Sequence, residues 1–104
     1  MYIIVKHQAT GGAIVLPVMF STLKEGQLYL QNKLPVEQSH GYDGSRIGIH
    51  KDCLVVAKKG AGCFECEYIL QKLVCEKSIY VEGVPPGAYR GIPKDKRAPS
   101  ACGL

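Results

Sequence analysis

The apolar residues of this chain fall into short runs separated by glycine, proline and charged residues. The longest, AIVLPVMF, has eight residues, whereas a helix that crosses a bilayer needs about 20. Short runs rich in Val, Ile and Tyr are typical of β-strands. With 46% apolar and 21% charged residues among 104, the chain can bury a core without disulfides or metal. These features predict one domain built largely from strands, with no membrane-spanning segment.

The first third of the chain predicts a β-hairpin followed by a helix. Two apolar runs, Tyr2–Lys6 and Ala13–Phe20, flank a turn-rich loop that ends in Gly-Gly. Pro17 cannot donate to a sheet ladder, so we expect its strand at a sheet edge or at a bulge. Thr22 and Glu25 have the spacing of a capping box, which predicts a helix that ends at Pro35. The alternation in QLYLQNKL also permits a strand there.

The second half of the chain predicts three more strands and a second helix. A loop over 35–45 leads to expected strands at Arg46–His50 and Cys53–Lys58. Every second residue from 64 to 70 is apolar, as in a strand. A different set falls on one helical face: Cys66, Ile69, Leu70, Leu73 and Val74. Acidic residues near the start of this segment and lysines near its end complement a helix dipole. We therefore expect a helix at 63–76 and a final strand at Ser78–Glu82.

The resulting order, ββα-ββα-β, predicts an α+β fold with an antiparallel sheet and two helices on one face. We expect residues 1–82 to form a single compact domain. Residues 83–104 are rich in Pro and Gly and lack periodicity, which predicts a disordered, flexible C-terminal tail.

Most of the net charge of +4 lies in that tail. Arg90, Lys94, Lys96 and Arg97, less Asp95, give residues 83–104 a charge of +3, which leaves +1 for the rest. Because the predicted domain is nearly neutral, a basic nucleic-acid-binding face is not expected on it. Nucleic acid is a candidate partner only through these four tail residues.

The five cysteines are odd in number, and the N-terminus, MYIIVKHQATGG, lacks the features of a secretory signal. We therefore expect a cytoplasmic protein without a disulfide framework. One alternative is a zinc site. His50-x2-Cys53 and Cys63-x2-Cys66 supply one imidazole and three thiolates, which is a tetrahedral zinc set. Cys75 is an alternative ligand to His50.

A second alternative is thiol chemistry. A strand, a small loop and a CxxC that opens a helix lower a cysteine pKa, which predicts Cys63 as nucleophile and Cys66 as resolving thiol. The segment CLVVAKKGAGCFECEYILQKL resembles the redox segment of thioredoxin and glutaredoxin proteins. The resemblance implies a thiol oxidoreductase. That family has further strands after its CxxC helix, one preceded by a cis-proline, whereas only Ser78–Glu82 and the predicted tail follow here.

The interpretation we favour is that Cys53 and Cys66 pack in the core, since free cysteine behaves as a small hydrophobe. The leading functional hypothesis is a non-enzymatic interaction or accessory protein of the kind that phages and mobile elements carry. It expects neither catalytic residues nor a cofactor. It expects a homodimer or a protein partner, because apolar edge strands must be covered or paired with another chain.

Overall fold

The computed structural model of the chain describes residues 1–40, 42, 44–57, 64–74 and 79–97. Its strands are β1 (Tyr2–Gln8), β2 (Ala13–Phe20), β3 (Arg46–Ile47), β4 (Cys53–Ala57) and β5 (Phe64–Lys72), and its α-helix is α1 (Leu23–Ser39). Two 3₁₀ helices follow at Pro86–Tyr89 and Lys94–Lys96. The strands form one sheet in the order β2-β1-β5-β4-β3, and all neighbours are antiparallel. The predicted α+β class with an antiparallel sheet is confirmed.

The predicted hairpin is present, and β2 is an edge strand as Pro17 indicated. Gly11 has a φ of 96° in the connecting turn, a conformation that favours glycine. Near Pro17 the register of β1 with β2 shifts: Ile3 pairs with Met19 but Val5 pairs with Val15. Three β2 residues, 16–18, therefore stand opposite Ile4. A bulge is the expected consequence of a residue that has no N–H for the ladder.

Helix α1 begins where the capping box predicted, because the Glu25 amide donates to Thr22 Oγ1 at 3.2 Å. Gly26, an unfavourable helix residue, lies where the helix meets the sheet. A Cβ at this position would collide with the side chain of Leu70. The predicted end at Pro35 is wrong, since the helix continues to Ser39. Pro35 is exposed, so its ring points away from the sheet. Glu37, in the final turn of the helix, is buried against the sheet.

The predicted helix at 63–76 is wrong, because residues 64–72 form β5, which pairs with β1 on one side and β4 on the other. Both rows of its backbone groups lie within the sheet, and Cys66, Tyr68 and Leu70 are buried on one face. The α+β order therefore contains a single α-helix within the described residues. The alternating pattern was the correct signal, and the helical face and charge placement were coincidental.

Two other predicted strands are shorter than expected. Arg46–His50 contributes only Arg46–Ile47, after which the chain turns, with Lys51 at a φ of 63°. Of Ser78–Glu82, the described residues 79–82 form only an isolated parallel bridge between Ile79 and Arg97.

The sheet has a hydrophobic cluster on each face. On the helix face, α1 covers Ile4, Leu54, Val56, Cys66, Tyr68 and Leu70 through Leu30. On the opposite face, the segment 79–97, here called the C-terminal segment, covers β1 and β2. Its buried residues are Ile79, Val81, Ala88, Tyr89 and Ile92, which pack with Ile3, Val5, Val15 and Leu73.

The C-terminal segment differs from the predicted flexible tail over 83–104. Residues 83–97 contain both 3₁₀ helices and bury Ala88, Tyr89 and Ile92, while residues 98–104 lie outside the described residues. The physical reason is that β1 is apolar on both faces, so a helix on one face leaves Ile3 and Val5 to be covered by other residues. In the described part of the chain, no helix is long and apolar enough to span a membrane.

Candidate functional site

The sheet places two of the predicted zinc ligands, Cys53 and Cys66, on opposite faces, and the full ligand set stays a prediction because Cys63 lies outside the described residues. Cys53 in β4 stands opposite Ile69 of β5, and Cys66 stands opposite Val56. Directly paired residues share a face, and Cys66 is three residues from Ile69, so the two thiols project from opposite faces. His50 lies exposed in the turn before β4, and Cys63 and Cys75 lie outside the described residues. Among the described residues, no group of three or more His, Cys, Asp or Glu could hold a metal ion.

The two described thiols are poorly suited to nucleophilic chemistry. Burial raises the pKa of Cys66, which lies in a strand rather than at a helix N-terminus. Burial, together with a hydrogen bond from Cys53 Sγ to Glu67 Oε1 at 3.0 Å, raises the pKa of Cys53 to about 12. Because the thiolate is the reactive form, both thiols are held in the unreactive state at neutral pH. The Cys63–Cys66 redox pair stays a prediction whose nucleophile lies outside the described residues.

The four basic residues of the predicted tail do not form one free patch. The Arg97 guanidinium donates to the carbonyls of Ile92, at 2.8 Å, and Arg90, at 3.1 Å. It therefore joins the turns of the C-terminal segment. Arg90 and Lys96 are exposed, and the side chain of Lys94 lies outside the described part. Nucleic-acid binding through these residues stays a prediction.

The outer edge of β2 is a long apolar edge strand. All eight residues of Ala13–Phe20 are uncharged, and no described strand pairs with this side of β2. Pro17 is exposed, and 49% of Met19 is exposed. The other edge strand, β3, has only two residues and begins with Arg46. Of the two sheet edges, β2 alone offers an extended row of backbone groups for pairing.

An apolar groove on α1 adjoins this edge. Its volume is about 230 Å³, and it is lined by Tyr29, Asn32, Lys33 and Val36. The Tyr29 ring packs against Phe20 of β2, with 5.3 Å between ring centroids. Leu28 lies two turns before Val36 on the same helical stripe, and both are about half exposed. We call β2 and this groove the edge surface.

A polar cleft of about 440 Å³ opens between the hairpin, the C-terminal end of α1 and the start of β5. It is lined by Lys6, Gln8, Ala9, Thr10, Glu37, His40, Tyr42, Glu65, Cys66 and Tyr68. Its volume lies in the range typical of small-molecule sites, about 300–1,000 Å³. We call it the polar cleft.

Tyr68 and Glu37 form the buried wall of the polar cleft. Tyr68 Oη donates to Glu37 Oε1 at 3.2 Å, and Lys33 Nζ lies 3.7 Å from the same oxygen. The ammonium groups of Lys33 and Lys6 lie 4.9 and 5.6 Å from the centroid of the Tyr68 ring, within the range of cation–π attraction. Burial, then the neighbouring Cys66 and Glu37, raise the pKa of Tyr68 above its ordinary value of 10.0.

Sequence reasoning missed this group. Tyr68 belonged to the alternating pattern that indicated a strand, and Lys6 stands directly opposite it in β1. Glu37 had no sequence signal, because it follows a proline that indicated the end of the helix. Only the continued helix brings Glu37 to the sheet.

Comparisons with protein-family models, with curated proteins and with solved structures found no significant match to this chain.

Proposed function

We propose that the protein is a non-enzymatic interaction module that forms a homodimer through its edge surface. The observation that carries the proposal is the uncharged eight-residue edge of β2. Edge strands of soluble proteins are commonly shortened, charged or covered, because unpaired backbone groups recruit other chains. Here Pro17 and the adjacent bulge interrupt the edge, but β2 itself contains no charged residue.

A second copy is the occupant that best fits this edge. A two-fold axis pairs a surface with itself, so a self-pairing strand must tolerate its own residues as neighbours. Since β2 carries no charge, antiparallel pairing with a second β2 places no like charges opposite each other. The half-exposed Met19, Leu28 and Val36 and the groove beside Tyr29 supply apolar area for contact next to the paired strands.

The test is the concentration dependence of the molecular mass, measured by light scattering after size exclusion and by native mass spectrometry. We expect a dimer for the wild type and a monomer for Met19→Lys, because a charged side chain on an edge strand opposes its pairing with another chain. Ile49→Lys is the matched control. Ile49 is 96% exposed, and it lies in the turn between β3 and β4 at the far edge of the sheet. This variant should remain a dimer.

A wild-type monomer at every concentration, or a Met19→Lys dimer, would contradict the homodimer. Both variants should keep the thermal stability of the wild-type fold, since Met19 is about half exposed and Ile49 is 96% exposed. If the monomer instead captures an extended peptide through β2, shown by amide shifts confined to residues 13–20, the occupant is another chain and the self-pairing proposal fails.

A further inference from the structure

Charges of both signs line the polar cleft: the carboxylates of Glu37 and Glu65 and the ammonium of Lys6. Glu37 is only 7% exposed and lines the cleft from the last turn of α1. Lys6 is half-buried and lines it from β1. Within the described residues, the ion pair of Glu37 is with Lys33, and Lys6 forms none. The cleft therefore has an anionic and a cationic wall that are not paired with each other.

Glu37 has unfilled capacity to accept hydrogen bonds. A carboxylate has about four acceptor positions. The described residues direct Tyr68 Oη and Lys33 Nζ at Oε1, and none donates to Oε2. A buried carboxylate is costly unless its oxygens are hydrogen-bonded. Tyr68 and Lys33 stabilise the carboxylate through Oε1, and within the described residues Oε2 is left to accept from a ligand.

Within the described residues, the Lys6 ammonium has a cation–π contact and no ion pair. It stands directly opposite Tyr68 in the β1–β5 pairing, and its ammonium lies over the Tyr68 ring. Cation–π attraction orients the ammonium but leaves its hydrogen-bond donors available. Gln8, Thr10 and His40 add polar groups around the cleft.

We propose that the polar cleft binds a small zwitterion of the α-amino acid class, with the ligand ammonium at Glu37 and the ligand carboxylate at Lys6. One molecule that carries both charges satisfies both walls. A simple anion would be repelled by the Glu37 carboxylate, and a simple cation would be repelled by the Lys6 ammonium. The polar cleft and the edge surface share no lining residue, although Lys33 of the groove forms an ion pair with Glu37 of the cleft.

The test is a titration of the ¹⁵N-labelled protein with each of the twenty standard α-amino acids at millimolar concentration. We expect saturable amide shifts at Gln8, Thr10 and His40 with at least one amino acid. Its N-acetyl derivative, which lacks the ammonium, and its amide, which lacks the carboxylate, should each bind at least about 10-fold more weakly. Hydrogen bonds to charged groups are worth about that factor or more.

Two variants assign the walls. Lys6→Met should weaken binding of the amino acid about 10-fold but leave binding of its amide unchanged, because the amide has no carboxylate for Lys6. Glu37→Gln should weaken the amino acid and leave the N-acetyl derivative unchanged. Lys72→Met is the matched control, since Lys72 is exposed at the other end of β5. It should bind like the wild type.

The proposal is overturned if none of the twenty amino acids gives saturable shifts. It is also overturned if the blocked derivatives bind as tightly as the free amino acid, or if Lys6→Met has no effect. Lys6 is partly exposed, so its substitution tests the site even if Glu37→Gln does not fold.

Discussion

The two faces of the sheet each bury a tyrosine, and the two hydroxyls are satisfied in different ways. On the face under the C-terminal segment, Tyr89 is 3% exposed; its Oη accepts from the Val81 amide at 2.8 Å and donates to the Val81 carbonyl at 3.4 Å. On the helix face, Tyr68 is 4% exposed and donates to the Glu37 carboxylate. Tyr89 thus closes its own segment, whereas Tyr68 holds an ionisable group at the wall of a cleft.

The difference indicates separate roles for the two faces. Hydrogen bonds between a side chain and the backbone of the same segment stabilise a local conformation. They leave no free donor or acceptor on that hydroxyl for a ligand. The Glu37 carboxylate, which pairs with Lys33, keeps a charge at the wall of the polar cleft. The C-terminal face is therefore a structural cover, and the proposed ligand site lies on the helix face.

The largest expected effect comes from removing the structural cover. A chain that ends at residue 82 loses the burial of Ala88, Tyr89 and Ile92 and exposes Ile3, Val5 and Val15. Large apolar side chains are each worth about 1.5–3 kcal/mol when buried, and a whole domain has about 5–15 kcal/mol. We expect the truncated chain to lose cooperative unfolding, measured by circular dichroism during thermal and urea denaturation.

Two point variants measure how much each hydrophobic cluster contributes to the free energy of unfolding. Ile92→Ala on the C-terminal face and Leu30→Ala on the helix face should each lower the free energy of unfolding by about 2–5 kcal/mol. If the truncated chain unfolds cooperatively at the wild-type temperature and Ile92→Ala is neutral, the C-terminal segment does not contribute to the core.

A smaller effect distinguishes the two tyrosines. Tyr89→Phe should lower the free energy of unfolding by about 1–3 kcal/mol, because it leaves the buried Val81 amide without its partner. Tyr68→Phe should cost less, about 0.5–1.5 kcal/mol, since Glu37 keeps Lys33 and lines the open cleft. Urea unfolding of both variants measures the difference. The reverse order would contradict the assignment of Tyr89 as the structural partner.

The smallest predicted effect is that of tyrosine ionisation, which changes the free energy of unfolding only at alkaline pH. Burial raises the pKa of both Tyr68 and Tyr89 above 10.0 in the folded state. A raised pKa stabilises the fold fully below the unfolded value, and this contribution is lost as pH rises above it. We expect the free energy of unfolding to fall above about pH 10, by up to about 1.4 kcal/mol per pH unit for each tyrosine.

The surroundings of the two tyrosine hydroxyls predict different pH dependences. Nearby Glu37 adds to the rise in the pKa of Tyr68, whereas the Val81 hydrogen bond lowers that of Tyr89. Tyr68→Phe should therefore remove more of the alkaline slope than Tyr89→Phe, measured as unfolding free energy against pH. Differences from the wild type cancel most of the contribution of the Cys53 thiol, whose pKa of about 12 lies in the same range. Equal slopes in both variants would contradict the asymmetry.

The structural features that were predicted correctly from the sequence are local ones. The hairpin, the edge position of Pro17 and the cap at Thr22 each depend on residues close together in the chain. A missing N–H, a glycine turn and a side-chain oxygen three residues from an amide act over a few bonds, so their effects can be predicted without knowing the fold.

The remaining features of the fold and of the site depend on contacts between residues that are distant in the sequence. Residues 64–72 fit a strand and a helix about equally, and pairing with β1 and β4 selected the strand. The turn after Pro35 and the C-terminal segment were ordered by contacts with distant residues, and the same contacts brought Glu37, Tyr68 and Lys6 to one cleft. Local propensities differ by a fraction of a kcal/mol per residue, whereas burial of one apolar side chain contributes more. Where the local signals are balanced, burial between distant segments determines the structure and the site.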